Sequence, residues 1–160
     1  MTDWLLWLEQ SALPTWVRES GSVWGYPTVL TLHTLGLAVL VGASAVVNLR
    51  VFGFARQFPV ASLLSLMPAI LAGLTVNGLT GLLLFAADAT TKAAQPVFYL
   101  KLGCIALALL ATVRLMRLVR LVRQSPDDGA LVLAGARRWA GASLGLWAAA
   151  ITAGRLMAYQ

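Results

Sequence analysis

The side chain with the most chemistry to offer is His33, the only histidine in this chain of 160 residues. It lies inside an apolar run, YPTVLTLHTLGLAVLVGASAVVN, which covers residues 26–48. That run is longer than the roughly 20 residues that cross a bilayer. An imidazole at such a position is costly unless it has a partner or a function. It could ligate haem or another metal, hydrogen-bond a quinone, or serve as a packing residue satisfied by neighbouring helices.

Further polar side chains fall near the depth of His33 once each apolar run is treated as a helix. Helix geometry puts His33 about 9 Å from Pro27 and Lys101 about 8 Å from Pro96. The same reasoning places two neutral side chains and one cation near this level: Asn77, Thr80 and Arg155. The sequence predicts a polar layer near one membrane face, with His33 as the metal ligand and all five side chains as candidate cofactor-binding residues.

The two cations of this layer have a functional and a structural interpretation. Lys101 and Arg155 would suit the propionates of a haem, or they could simply extend to the membrane surface. His33 likewise could satisfy itself by hydrogen-bonding Thr80, Asn77 or a neighbouring carbonyl. The sequence leaves both interpretations open.

The composition identifies the class of protein that must position these residues. Hydrophobic residues make up 59% of the chain and charged residues 11%, whereas soluble domains carry roughly 25% charged residues. The sequence therefore predicts an all-α integral membrane protein, one domain over residues 1–160, with four transmembrane helices in an antiparallel bundle. Cys104 is the only cysteine, which excludes a disulfide and a thiolate cluster within the chain.

The hydrophobic runs set the expected bounds of each element. Residues 1–20 are too short and too charged to span, and their tryptophans favour amphipathic helices in the membrane interface. Asp3 and the lack of a small-residue cleavage site argue against a cleavable signal. Pro68 could kink the second span. The four spans are predicted at about 27–49, 63–87, 97–118 and 139–159, and a basic connection with a turn at 125–129 is predicted over 119–137.

The distribution of basic residues predicts the topology. Arginines follow the first span and, more densely, the third, so both of those loops are expected in the cytoplasm of a bacterial cell, with both termini in the periplasm. The net charge of +6 is explained by this asymmetry, and nucleic-acid binding is not predicted. A row of arginines at every third position is expected to bind anionic lipid headgroups: Arg114, Arg117, Arg120 and Arg123.

Three motifs resemble a family of small bacterial four-helix inner-membrane proteins of uncharacterised activity. They are LHTLGLAVLVGASAVVNLRVFG at 32–53, GLTGLLLF at 78–85 and QPVFYLK at 95–101. The resemblance covers roughly residues 26–103, implies the four-helix fold and marks His33, Arg50 and Lys101 as motif positions. Asn48 stands where members often carry an acidic residue. The family implies no catalytic or binding role for any residue.

Three functions are compatible with this pattern. The first is a non-catalytic subunit or anchor of a bacterial electron-transfer assembly that binds b-type haem through His33, with a second ligand from another chain; a quinone is the alternative cofactor. The second is a cofactor-free accessory subunit. The third is a small oligomeric transporter or channel, although only Asn77 and Pro68 suggest a polar or broken helix deep in the membrane. In each case we expect a homo-oligomer or a larger membrane complex.

Overall fold

The computed structural model describes residues 3–124 and 129–159. Within these residues every regular element is a helix. The α-helices are α1 Asp3–Glu9, α2 Ala12–Glu19, α3 Tyr26–Phe52, α4 Met67–Ala86, α5 Ala89–Ala94, α6 Pro96–Gln124 and α7 Gly129–Leu156. Two 3₁₀ helices cover Val60–Leu66, directly before α4, and Met157–Tyr159, directly after α7. The predicted all-helical fold is confirmed.

Three helical stretches are long and apolar enough to cross a membrane. They are Tyr26–Phe52, Val60–Ala86 and Pro96–Val122, each of 27 residues. Among the described residues, α7 does not join them; its 28 residues are rich in alanine and glycine and include Arg137, Arg138 and Arg155. The prediction of a membrane protein is thus supported by three helices, whereas the fourth span and the closed four-helix bundle stay predictions.

The helix ends follow from residues with special backbone properties. Pro27 is among the first two residues of α3, where its missing N–H is not needed. Gly53 ends α3 in the left-handed region, with φ of 102°, a conformation that glycine adopts readily. Pro68 was expected to kink the second span, but it lies in the first turn of α4 and follows the 3₁₀ helix. The chain before this proline therefore takes the tighter helix and α4 itself has no proline in its interior.

The predicted basic connection over 119–137 is helical on both sides of residues 125–128, which lie outside the described residues. α6 continues to Gln124 and α7 begins at Gly129. The spans predicted to end at 118 and to begin at 139 are therefore parts of longer helices, because no proline lies between Val113 and Gln124 or between Ala130 and Trp139, and the single Gly135 does not break a helix.

The long helices pack as two hairpins joined along one side. α3 packs against α4, α6 packs against α7, and α3 also contacts α7. α4 and α6 make little direct helix contact, although Phe85 and Phe98 stack where the two helices approach α5. We call the end of the bundle that holds Tyr26, Ala86 and Pro96 the His33 end, and the opposite end the arginine end.

A chain of buried hydrogen bonds joins α3, α7 and α6 toward the arginine end. Asn48 Nδ2 donates to Ser143 Oγ at 3.1 Å, and Ser143 Oγ lies 3.3 Å from Thr112 Oγ1. Thr112 donates its own hydrogen to the carbonyl of Ala108, so Ser143 must be the donor to Thr112. These side chains are at most 5% exposed, and such polar contacts between helices fix their register.

At the His33 end, the two N-terminal helices are fastened to α5 by Glu9. Its Oε2 accepts hydrogen bonds from the Thr90 hydroxyl at 2.7 Å and the Thr90 backbone N–H at 3.1 Å. Arg18 of α2 pairs with Glu9 at 3.0 Å and with Glu19 at 2.9 Å, and it donates to the Ala87 carbonyl. α1 and α2 are thus held as a layer across this end of the bundle.

This tether predicts a pH dependence. The Thr90 hydroxyl and amide, and then the charge of Arg18, lower the pKa of Glu9 below its ordinary value of 4.5. The stabilisation is therefore complete above pH 4.5 and is lost as the pH falls through the lowered pKa. We expect protection of the Thr90 amide from hydrogen exchange to fall only in that acidic range. Thr90→Val should move the pKa of Glu9 back toward 4.5, and an ordinary Glu9 pKa in the unmodified protein would contradict the tether.

Candidate functional site

The site begins with a close crossing of α3 and α4 at two glycines. A Cβ on Gly73 would lie 2.6 Å from the backbone nitrogen of Leu40 and 2.9 Å from the carbonyl oxygen of Gly36. A Cβ on Gly36 would lie 2.8 Å from the backbone nitrogen of Asn77. No side chain fits at either position, so the two backbones touch directly. This contact brings His33, one turn before Gly36, against the last turns of α4.

His33 is half-buried at this crossing, and its Nδ1 faces two oxygen atoms of α4. Nδ1 lies 3.1 Å from the carbonyl oxygen of Asn77 and 3.1 Å from Thr80 Oγ1. The Thr80 hydroxyl donates its hydrogen to the carbonyl of Val76 at 2.6 Å, so it can only accept from His33. The Asn77 carbonyl can only accept, so its contact is a hydrogen bond when the ring carries its hydrogen on Nδ1. The lone pair of a neutral ring is then on Nε2.

Asn77 fixes the ring from a second direction. Its Nδ2 donates to the backbone carbonyl of His33 at 2.9 Å, which settles which amide atom is the nitrogen. The same Nδ2 lies 3.3 Å from Nδ1 and 3.4 Å from Nε2. Because it is nearly equidistant from the two ring nitrogens, the amide lies over the ring face and not in line with the Nε2 lone pair. Within the described residues, Nε2 therefore has no in-plane hydrogen-bond donor.

Gly81 makes room for the ring at its outer edge. A Cβ at this position would lie 3.1 Å from Cε1 of His33, closer than most real Cβ contacts. Any larger residue would push the imidazole away from α4 and weaken both bonds at Nδ1. Three of the predicted site residues, His33, Asn77 and Thr80, are thus brought together.

Lys101 reaches the same level of the bundle from α6. Its side chain is partly buried, with Cε 3.5 Å and Nζ 3.7 Å from the position of a Cβ on Gly154 of α7. Among residues 3–124 and 129–159, Lys101 has no acidic side chain within ion-pair distance. It thus places a partly buried amino group against α7 at the His33 end of the bundle.

Arg155 is not drawn into this cluster. Its side chain is exposed on α7, and it makes no hydrogen bond or ion pair with another described residue. The sequence predicted Arg155 in this layer, and its neighbour Gly154 does contact Lys101. The side chain differs because position 155 lies on a different face of α7 from 154.

Sequence reasoning did not foresee the roles of these glycines. Gly81 and Gly154 shape the space for His33 and Lys101, and Gly36 and Gly73 set the helix crossing. The spacing of small residues indicates that helices pack closely. It does not identify the residue that each glycine contacts, because that depends on how two helices are rotated about their axes.

The described part of the chain holds no group of three histidine, cysteine, aspartate or glutamate residues that could bind a metal ion. No family model, no curated protein and no solved structure matches this chain. The fold and site define a helical membrane protein with a polar site between α3 and α4, beside a half-buried lysine.

Proposed function

We propose that this protein is a non-catalytic membrane subunit of a bacterial electron-transfer assembly and that Nε2 of His33 ligates a b-type haem. The supporting observation is the pair of acceptors at Nδ1, the carbonyl of Asn77 and the hydroxyl of Thr80. Ligating histidines usually donate their other ring N–H in this way, which fixes the tautomer and raises the basicity of the ligating nitrogen. In this proposal α7 is the fourth span of an antiparallel bundle, with both termini in the periplasm.

The residues present fit one side of a haem. His33 supplies one nitrogen ligand of the required tautomer, and Lys101 supplies a cation for a propionate. When bound, the haem would supply one-electron chemistry. His33 is the only histidine in the sequence, so the second axial histidine typical of such sites would come from a second copy or a partner subunit.

The chain itself would orient the imidazole of His33 and surround it with a medium of low dielectric constant. Thr80 and the Asn77 carbonyl fix the orientation of the ring plane. The side-chain amide of Asn77 donates to the backbone carbonyl of His33. At the glycine crossing, one turn from the ring, the backbones of α3 and α4 touch directly. Such supporting contacts typically change metal affinity by about 10–100-fold when they are removed.

An absorption spectrum tests the proposal most simply. The protein, purified in mild detergent from cells supplied with iron and a haem precursor, should show a Soret band that responds to reduction. A pyridine haemochrome assay should give one haem for each pair of axial histidines. A colourless, iron-free preparation that does not take up added haemin would refute the haem proposal.

A cofactor-free accessory subunit is the second candidate. The observation that favours it is that the same contacts satisfy His33 within the chain, so the ring could serve only to join α3 to α4. In that case, replacing His33 would lower stability but change no spectrum, and the protein would still assemble with its partners.

The proposed lipid contact lies at the arginine end. Arg114, Arg117 and Arg120 are exposed on one side of α6 while Leu115, Met116 and Val119 are buried on the other; the side chain of Arg123 lies outside the described residues. A row of cations along this stretch favours anionic headgroups by about 1 kcal/mol per arginine.

Replacing Arg114, Arg117 and Arg120 together by glutamine should reduce the number of anionic lipids that stay bound in native mass spectrometry. The difference should shrink as salt is added, since the contact is electrostatic. Lys92→Gln, which removes a cation at the opposite end of the bundle, serves as the control. Equal lipid retention by the triple variant and the control would contradict the headgroup contact.

A further inference from the structure

A cavity of about 460 Å³ opens beside the His33 end, between α1, α5 and the adjoining ends of α4 and α6. Its volume is within the range of about 300–1,000 Å³ that small-molecule sites occupy. Aromatic side chains from three helices dominate its lining: Trp4, Phe85, Phe98 and Tyr99. It is separate from the His33 contacts, which involve the facing sides of α3 and α4.

Three of the lining rings contact one another and form a continuous aromatic surface. Phe85 and Phe98 lie nearly parallel, with centroids 5.1 Å apart and planes at 9°. Tyr99 meets Phe98 edge-on at 5.5 Å and 74°. A planar ring gains stacking and edge-to-face contacts with such a surface in addition to the burial of apolar area. A flexible acyl chain makes no such contacts and loses more conformational freedom when it is bound.

The hydroxyl groups at the cavity are already used. The Thr90 hydroxyl donates to Glu9, and the Tyr99 hydroxyl donates to the Ala93 carbonyl at 2.9 Å. Neither has a hydrogen left to donate to a charged or sugar-like group. The chemistry of the lining therefore favours an uncharged ring.

One side of the cavity is a helix held in place by a polar tether. Trp4 and Leu5 of α1 contribute to the lining, and Glu9 at the end of α1 binds the hydroxyl and amide of Thr90. Thr90 itself lines the cavity. The tether that fastens α1 thus also sets the position of the covering side chains.

We propose that this cavity binds the planar, uncharged ring of a lipid-soluble compound, of the class to which quinones belong, with α1 as its cover. Tyr99 and the neighbouring Leu100 and Leu82 are largely exposed, so the cavity adjoins apolar surface that lipid would cover. The ring reaches it laterally from the membrane. The inference is independent of the haem proposal, since it uses no residue of the His33 cluster.

Fluorescence quenching by the naphthoquinone menadione tests the site in the full-length protein in lipid nanodiscs. Quinones quench tryptophan, and the chain has six tryptophans, so the signal of interest is the part that disappears in Trp4→Phe. We expect saturable quenching of Trp4 that weakens by about 3–10-fold in Phe98→Leu, because the ring face is lost while apolar volume is kept. Phe58→Leu, an exposed ring far along the chain, should bind as the unmodified protein does.

The role of α1 as a cover is tested by removing the charge of Glu9, which holds α1 against Thr90. Glu9→Gln should speed release of the quinone, whereas Asp3→Asn on the same helix should not. Non-saturable quenching, or equal affinity of Phe98→Leu and Phe58→Leu, would overturn the proposal. So would quenching of Trp4 by brominated acyl chains that menadione does not displace, since this would assign the cavity to ordinary lipid.

Discussion

Gly73→Val should separate α3 from α4 and destabilise the protein by about 2 kcal/mol or more, since overpacked sites commonly lose 1–3 kcal/mol. The new Cβ would lie 2.6 Å from one backbone atom of α3 and 2.9 Å from another. Neither atom can move without shifting the whole helix. The effect should appear as a lower midpoint of thermal unfolding in detergent, together with loss of the Nδ1 hydrogen bonds of His33.

Gly78→Val is the matched control for this variant. Gly78 lies in the same helix, and a Cβ there would meet nothing within 4 Å. The two variants share the same change in helix propensity, so the difference between them isolates the crossing. Equal midpoints for Gly73→Val and Gly78→Val would contradict the close contact of the two backbones.

His33→Ala should abolish the Soret band and leave most of the helical content, because the variant removes the single imidazole while the glycine crossing remains. Thr80→Val should keep the band but weaken haem binding by about 10–100-fold, as expected for loss of a group that orients a ligand. Both are measured by titrating the purified protein with haemin and recording the absorption spectrum.

Thr34→Ala is the control, since Thr34 is the next residue along α3 but is exposed and bonds only to the carbonyl of Leu30. Its spectrum and affinity should match those of the unmodified protein. If His33→Ala kept a normal Soret band, another residue would be the ligand and the role given to His33 would be wrong.

The lengths of the hydrophobic runs predicted the long helices well. Proline and glycine residues then indicated where several of these helices begin or end. The span predicted at 27–49 corresponds to α3 at Tyr26–Phe52, and the span at 97–118 lies within α6. The division between 119 and 137 was harder, since arginine is compatible with a helix that leaves the membrane. Pro68 was also ambiguous, because a proline can kink a helix or begin one.

Helix periodicity placed Asn77 and Thr80 near His33, and all three are in contact. It could not distinguish Lys101, which turns inward beside Gly154, from Arg155, which faces outward, because depth does not specify rotation. The bond from Glu9 to Thr90 joins residues 81 positions apart. No local pattern in either segment indicates the other, so this tether emerges only from the three-dimensional fold.

The tautomer of His33 decides whether Nε2 is free to ligate a haem, and nitrogen NMR measures it directly. With only one histidine in the sequence, protein labelled with ¹⁵N-histidine gives the ring signals of this residue alone. In membranes without added haem at neutral pH, we predict a protonated Nδ1 and an unprotonated Nε2. A proton on Nε2 with a bare Nδ1, or a fully protonated ring, would contradict the account.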